Sequence, residues 1–245
     1  MSLNKQVKII LIETSNSGNI GSTLRAMKTM SFSKLCLVNP KDFPSEQVET
    51  LAANAKDLIE DIEVVETLDE ALDGLNFVIG TSSRMRKVPW PNEALDQVSS
   101  KIISEANKGN NIGIMFGRED RGLTNDELQR CNLHVHIPAN EEYPVLNIAM
   151  AVQVVCYQLY VDSHKNNETN ESNYWDVPLA ESNHVERLIN HFVEVAAELE
   201  VFNKGNPRQI GARIKRMFTR IGLDEMEVNF LRGFLGAVEK KLKNK

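Results

Sequence analysis

Six short apolar, β-branched runs recur along the first 138 residues of this 245-residue chain, and helix-period stretches separate most of them. Strands that alternate with helices predict a parallel sheet covered by helices on both faces. Hydrophobic residues follow one another within the runs, which is typical of strands buried on both faces. The predicted strands cover residues 7–13, 34–40, 62–66, 76–82, 111–117 and 133–138.

The pattern changes after residue 160, where a polar stretch rich in Asn, Ser and Glu lacks periodicity and predicts a linker. Three helical patterns follow, over residues 181–201, 207–221 and 224–243. We therefore predict an α/β domain and a small all-helical C-terminal domain joined by that linker. The predicted boundaries are 1–162 for the first domain, 163–180 for the linker and 181–245 for the second domain.

Composition limits the kinds of partner and cellular compartment that we expect for this chain. The formal net charge of −6 favours neither a nucleic acid nor an anionic membrane for the chain as a whole. Cys36, Cys131 and Cys156 lack CxxC spacing, which predicts reduced, buried thiols in a cytoplasmic protein. No apolar run approaches the ~18 residues of a membrane span, so we expect no membrane segment. No histidine accompanies Glu119 and Asp120 at ligand spacing, so we expect no metal.

Segments that follow the strands carry the candidate chemistry, because ligands of open parallel sheets bind at the carboxyl ends of strands. In residues 13–30, Gly18 and Gly21 precede a helix whose free N–H groups suit a phosphate, although a plain glycine turn fits equally well. Residues 80–91 combine small residues, three basic residues and Trp90. That composition is typical either of a loop that meets a nucleic acid backbone or of a solvated loop.

Two further segments are rich in polar groups. Thr124 and Glu127 predict a capping box, and the charged residues 118–121 form either a surface cluster or a tie between neighbouring loops. Pro144 suits the first turn of a helix, where its missing N–H costs nothing. Asn147 then lies near the helix start, where its amide either caps the backbone or holds a second loop.

In this order the segments resemble a known family. "SGNIGSTLRAMKTM", "FGREDRGLTNDEL" and "HIPANEEYPVLNIAMAVQVV" resemble the three motifs of the SPOUT class of RNA 2′-O-ribose methyltransferases. "GTSSRMRKVPWP" and the helical tail with "RIKRMFTR" are similar to the subfamily that methylates cytidine or uridine 32 in the anticodon loop of tRNA. The resemblance implies a knotted parallel-sheet SPOUT methyltransferase domain, a cytoplasmic homodimer, a tRNA substrate and S-adenosylmethionine as the cofactor.

The resemblance also assigns residues by motif. The catalytic group is implied to be Arg25, Asn19, Glu119 and Asn147. The cofactor would be held by Thr81, Ser82, Ser83, Gly117, Ile137, Pro144, Val145 and Leu146. The family commonly carries a serine hydroxyl where this chain has Pro144 and Val145, so an RNA-binding relative with weak or no methyl transfer is an alternative. A nucleotide-binding α/β protein with phosphate at the first glycine loop is another.

Local charge points to RNA. Residues 204–220 hold six basic residues and no acidic one, in a chain whose net charge is −6. Such a basic helical stretch predicts contact with RNA phosphates, while a solvated face or ion pairs to the preceding acidic helix would explain it too. The candidate RNA-binding residues are Arg84, Arg86, Lys87, Arg208, Arg213, Lys215, Arg216 and Arg220.

Overall fold

The computed structural model describes residues 3–82, 92–165, 177–202 and 208–244. Within these ranges a seven-stranded sheet has the order β3-β2-β1-β6-β4-β7-β5, and every neighbouring pair is parallel. The predicted parallel sheet is therefore confirmed. The strands are β1 Val7–Ile12, β2 Lys34–Val38, β3 Glu63–Val65, β4 Phe77–Thr81, β5 Asn92–Ala94, β6 Ile112–Phe116 and β7 Leu133–His136.

Helices connect the strands and form the C-terminal part. α1 to α7 belong to the sheet region, with a 3₁₀ turn at Ala53–Leu58. α7 continues to Lys165, three residues beyond the predicted end of the first domain. The helices are α1 Leu3–Gln6, α2 Ser17–Thr29, α3 Glu46–Ala52, α4 Leu68–Leu72, α5 Leu95–Asn107, α6 Asn125–Leu128, α7 Ile148–Lys165, α8 Ser182–Glu198, α9 Arg208–Ile221 and α10 Glu225–Lys243.

The central strands β1, β2, β4 and β6 are buried on both faces, as the uninterrupted apolar runs predict. Ile9 and Leu11 of β1 pack into a cluster that includes residues of α2, α5 and α7. Ile10 and Ile12, which point to the opposite face, join a second cluster with residues of α4 and α6. The three cysteines are free and buried, and burial raises the pKa of Cys36 and of Cys156 to about 12.

β5 is a strand that the sequence analysis missed. Its residues Asn92–Ala94 are polar or small and partly exposed, so no apolar run marks it. It is held by pairing with β7 at the edge of the sheet, where Glu93 lies opposite Val135. Backbone pairing of this kind depends on the neighbouring strand, which local sequence does not report.

The C-terminal helices have their own core, built around buried residues that include Leu188, Phe218 and Leu235. They dock on the sheet region through polar contacts. The Asn132 side chain accepts from the backbone N–H of Val78 at 2.7 Å and donates to the Thr219 carbonyl in α9 at 3.0 Å. The Asn76 side chain donates to the carbonyl of Leu179 at 2.7 Å. These contacts fix α9 and the segment before α8 relative to the sheet.

Candidate active site

One pocket lies at the carboxyl ends of β4, β6 and β7, where sheet topology predicts a ligand. The space between its walls is about 810 Å³ when the open solvent at its mouth is included. Seven of the eight candidate cofactor residues line it, and the eighth, Ser83, lies outside the described residues. The seven are Thr81, Ser82, Gly117, Ile137, Pro144, Val145 and Leu146.

A tight turn after β6 shapes one wall of the pocket. Gly122 donates its backbone N–H to the Arg118 carbonyl at 2.8 Å, and the two residues form an antiparallel bridge. A Cβ on Gly117 would lie 2.1 Å from the Gly122 carbonyl carbon and from the Leu123 nitrogen. Glycine is therefore required at position 117, because the chain folds back onto it.

Three candidate catalytic residues from three distant segments meet beside this pocket. The Asn19 amide nitrogen in α2 donates to Glu119 Oε1 at 2.9 Å. The Asn147 amide nitrogen donates to Asn19 Oδ1, also at 2.9 Å. The result is a directed chain of hydrogen bonds from Asn147 through Asn19 to the Glu119 carboxylate.

Asn147 performs both roles that the sequence left open. Its Oδ1 accepts the Ala149 backbone N–H at 2.9 Å at the start of α7, while its amide nitrogen holds Asn19. The prediction that Pro144 occupies the first turn of this helix is wrong. α7 begins at Ile148, and Pro144 lies in the preceding loop, where it lines the pocket. Asn147 ends that loop by capping the helix, so the helix begins four residues after Pro144.

Glu119 accepts several hydrogen bonds. Besides Asn19, the backbone N–H and hydroxyl of Ser15 donate to Glu119 Oε2, both at 3.1 Å. Burial alone would raise the pKa of Glu119, but the hydrogen bonds from Asn19 and Ser15 outweigh it and hold that pKa below its usual value. Glu119 is thus a carboxylate at neutral pH, which accepts hydrogen bonds and is a weak base.

The glycines at the start of α2 serve packing between helices. The Asn16 side chain caps the helix by accepting from the Gly18 backbone N–H at 2.8 Å. A Cβ on Gly21 would lie 2.4 Å from the Val48 carbonyl oxygen in α3. α3 of the same chain therefore fills the space beside Gly21 in which the sequence analysis allowed a phosphate to bind. The interpretation of this glycine turn as a phosphate site loses its support.

Arg25 lies apart from the other catalytic candidates. Its side chain is exposed on α2 and does not line the pocket, and no hydrogen bond or ion pair is found for its guanidinium among the described residues. Asn19 and Arg25 are six residues apart, so they lie on different sides of the same helix. Within one chain, the structure joins Asn19, Glu119 and Asn147 and leaves Arg25 facing outward.

The candidate RNA-binding residues divide into three groups. Arg213 and Arg220 are exposed on α9. Lys215 forms an ion pair with Glu186 of α8 at 2.8 Å, so the ion-pair interpretation applies to that residue, and Arg216 is half-buried. Outside the described residues lie Arg84, Arg86 and Lys87 and the side chain of Arg208.

No cluster of three or more metal-ligating side chains is found in the part of the chain that the structure describes. His134, one of two histidines in β7, is buried, and its Nε2 lies 2.7 Å from the carbonyl oxygen of Leu128. Among the described helices, none is long and apolar enough to cross a membrane.

Sequence reasoning singled out neither Arg118 nor Leu123 as a site residue, although both line the pocket. Arg118 is nearly buried, with 9% of its side chain exposed, between the carboxylates of Glu13 and Glu127. The signal available in the sequence was an arginine directly before Glu119 in a charged turn. That signal was compatible with a surface cluster of charges and with ion pairs between neighbouring loops. The structure shows ion pairs between loops, which Arg118 forms with Glu13 and Glu127.

Two family models match the chain. The model of the SpoU rRNA Methylase family matches residues 6–157, which include the strands and the pocket. The model of the tRNA methyltransferase TrmJ C-terminal domain matches residues 183–245, which include α9 and α10.

Individual proteins are similar over nearly the whole chain. The tRNA (cytidine/uridine-2′-O-)-methyltransferase TrmJ of Citrobacter koseri is 41% identical, over 98% of this chain and 99% of its own. The crystal structure of TrmJ from Z. mobilis ZM4 superposes with a TM-score of 0.81 at 26% identity, covering 95% of this chain and 98% of that one. The SpoU methyltransferase AviRb of Streptomyces viridochromogenes, in complex with AdoMet, shares the fold of the sheet region, with a TM-score of 0.52 at 16% identity and coverage of 64% of this chain and 60% of its own.

Proposed function

The chain belongs to the SpoU methylase family, and from this premise we propose how its residues carry out S-adenosylmethionine-dependent 2′-O-methylation of tRNA. The observation that carries the proposal is the hydrogen-bonded chain from Asn147 through Asn19 to Glu119, built beside the pocket at the carboxyl ends of β4, β6 and β7. Three segments that are far apart in sequence converge there, and each contributes one of these side chains.

The residues of the pocket fit S-adenosylmethionine, which supplies the electrophilic methyl group when bound. We propose that backbone groups of the loops after β4, β6 and β7 bind it, since Gly117, Ile137 and Leu146 offer no polar side-chain atom. The Thr81 hydroxyl is already engaged, donating to the Met115 carbonyl at 2.8 Å, so it shapes the wall. Pro144 lacks an N–H, so only its carbonyl and ring are available to a ligand.

Catalysis by these residues is mainly positioning. Attack of a ribose 2′-hydroxyl on a methyl group needs an in-line arrangement. Groups held in fixed positions supply it, because they lower the entropic cost of aligning the reactants. Glu119, kept ionised by its hydrogen bonds, orients Asn19, and Asn19 in turn orients Asn147. We propose that Arg25 binds the neighbouring phosphate or the developing alkoxide, and that water or a phosphate oxygen takes the proton, since a guanidinium is a poor base.

The missing serine hydroxyl does not favour the alternative of an inactive RNA-binding relative. The chain Asn147–Asn19–Glu119 forms without any group from Pro144 or Val145. Both of those residues still line the pocket. Their contribution is therefore shape and apolar contact, which a valine and a proline provide.

We place the modified nucleotide at cytidine or uridine 32 of the anticodon loop, and the activity in the cytoplasm, on the resemblance of the motif set to that subfamily. The expected result is one methyl group per tRNA, on the ribose of nucleotide 32, when the protein acts on unmodified tRNA. Mass spectrometry of nuclease fragments measures it. Methylation of a base, or of a ribose elsewhere in the tRNA, would contradict the assignment.

We propose that the active form is a homodimer. The outer face of α7 carries exposed apolar side chains beside the pocket, including Met150 at 62% and Tyr157 at 53% exposure. Exposed apolar patches of this kind mark association surfaces. Arg25 faces outward from its own pocket, which suits a site completed by a second subunit. Sedimentation velocity at micromolar concentration tests the proposal, and a single species with the mass of one chain would contradict it.

We propose that α9 contacts tRNA phosphates through Arg213 and Arg220, the exposed pair. Replacing both with glutamine is expected to weaken tRNA binding and to reduce the slope of log K against log salt by about 0.7–0.9 for each lost phosphate contact. Cofactor affinity should not change, because neither side chain lines the pocket. The matched control is Lys34→Gln, an exposed charge at the amino end of β2, and an unchanged salt slope in the double variant would exclude these arginines from the interface.

A further inference from the structure

Arg118 binds two carboxylates with one buried guanidinium. Its Nε donates to Glu13 Oε2 at 2.8 Å and its Nη2 to Glu13 Oε1 at 2.6 Å, a bidentate fork. Its Nη1 donates to both oxygens of Glu127, at 2.9 and 3.0 Å. Planar geometry lets an arginine make such paired bonds, whereas a lysine ammonium acts as a single point charge. Arg118 therefore ties the end of β1 to the loop after β6.

Glu13 has an unusual backbone at the end of β1. Its φ is 47°, in the left-handed region that residues other than glycine rarely adopt. Its N–H donates to the Val38 carbonyl of β2 at 2.8 Å, and its carboxylate is held by Arg118. A strained conformation of this kind persists only where surrounding contacts hold it. Together these contacts set the direction in which residues 14–16 leave the strand.

The segment that Glu13 directs is the one that binds Glu119. Ser15 donates its backbone N–H and its hydroxyl to Glu119, two residues after Glu13. Asn19 follows at the start of α2 and binds the same carboxylate at 2.9 Å. Two sets of hydrogen bonds thus join the segment after β1 to the loop after β6. In one set the loop after β6 donates, through Arg118, and in the other it accepts, through the neighbouring Glu119.

We propose that Arg118 is a positioning residue for methyl transfer, which acts by fixing Glu13 so that Ser15 and Asn19 meet Glu119. The inference rests on the proposed function, because its effect is read as the rate of methylation. Its other arm, to Glu127, has a local role. Glu127 accepts the Thr124 backbone N–H at 2.6 Å in the capping box of α6. A test of the proposal must therefore remove the hydrogen bonds between Arg118 and Glu13.

The test uses Glu13→Gln, which removes the charged partner of the fork without altering a residue that lines the pocket. Because small displacements of catalytic groups cost up to about 100-fold, kcat is expected to fall by about 10- to 100-fold. Calorimetric affinity for S-adenosylhomocysteine should stay close to that of the wild type. The matched control is Glu63→Gln in β3, which breaks the 2.8 Å ion pair with Lys8 of β1 away from the pocket, and its kcat should not change.

Coupling to Glu119 separates positioning from general stability. In a Glu119→Ala background, adding Glu13→Gln is expected to lower kcat by less than about threefold, because contacts that act through one group are not additive. Equal losses in both backgrounds would overturn the proposal, as would wild-type kcat in Glu13→Gln. Circular dichroism verifies folding of each variant. If Glu13→Gln fails to fold, Glu13→Asp keeps the charge one methylene further from Arg118 and is subject to the same criteria.

The outcomes also separate this inference from the proposed function. If the wild-type protein transfers no methyl group to tRNA, the proposed function fails and Arg118 has no rate to affect. If the wild-type protein is active and the variants show additive or absent losses, only the positioning role of Arg118 fails.

Discussion

Replacing Glu119 with alanine is expected to lower kcat for tRNA 2′-O-methylation by about 100-fold, the scale that loss of catalytic alignment produces. Glu119 is the acceptor that Ser15, Asn16 and Asn19 share. Without it, the Asn19 amide loses the contact that fixes its orientation, and Asn147 then loses a defined partner. Transfer of a radiolabelled methyl group to tRNA, measured at saturating cofactor, gives kcat directly.

Two variants make this prediction sharp. Glu119→Gln keeps the side-chain shape but has one acceptor oxygen for donors that now use two, so an intermediate loss of about 10-fold is expected, in line with the weaker hydrogen bonds of neutral groups. Asp126→Asn removes one charge from an exposed residue of α6 and should leave kcat unchanged. Wild-type kcat in Glu119→Ala would refute the role of the hydrogen-bonded chain.

Replacing Gly117 with alanine is expected to weaken S-adenosylmethionine binding by about 10- to 100-fold, which corresponds to an overpacking cost of ~1–3 kcal/mol. The new Cβ would meet backbone atoms of Gly122 and Leu123 at 2.1 Å. Backbone cannot rotate away as the end of a side chain can, so the turn after β6 must open and change the pocket wall. Isothermal titration calorimetry measures the affinity, and thermal unfolding is expected to occur at a lower temperature.

Gly233→Ala is the matched control for this change. Gly233 lies inside α10, and a Cβ there would have no atom within 4 Å. Alanine is favoured over glycine in a helix by ~1 kcal/mol, so stability should be equal or higher and cofactor affinity unchanged. Wild-type cofactor affinity in Gly117→Ala would contradict the close approach of the turn on which the prediction depends.

Local sequence predicted most of the sheet, because its buried strands are short but continuous apolar runs. Residues 34–40 and 111–117 each contain the observed strand, β2 and β6. The capping box of Thr124 and Glu127 is likewise confirmed, since both of its hydrogen bonds are present at the start of α6. Signals of this kind involve residues within a few positions of one another, which a single sequence displays directly.

Contacts between distant segments were not predictable in the same way. The sequence allowed a phosphate to bind beside Gly21, whereas in the structure the Val48 carbonyl of α3 lies against this glycine. Lys215 looked like the other basic residues of its stretch, but it pairs with Glu186. In each case the partner belongs to another helix, so the role of the residue depends on how the two helices pack.

The sequence by itself determined the parallel α/β architecture, the three C-terminal helices and, through the order of its motifs, the methyltransferase family. Apolar periodicity and motif spacing are properties of neighbouring residues, so they can be read from the sequence alone. Only the tertiary structure decided that Asn147 caps α7 and also holds Asn19, and that Asn132 joins β4 to α9. An amide has donors and an acceptor that can bind in several directions, and the groups that it binds are known only once the chain has folded.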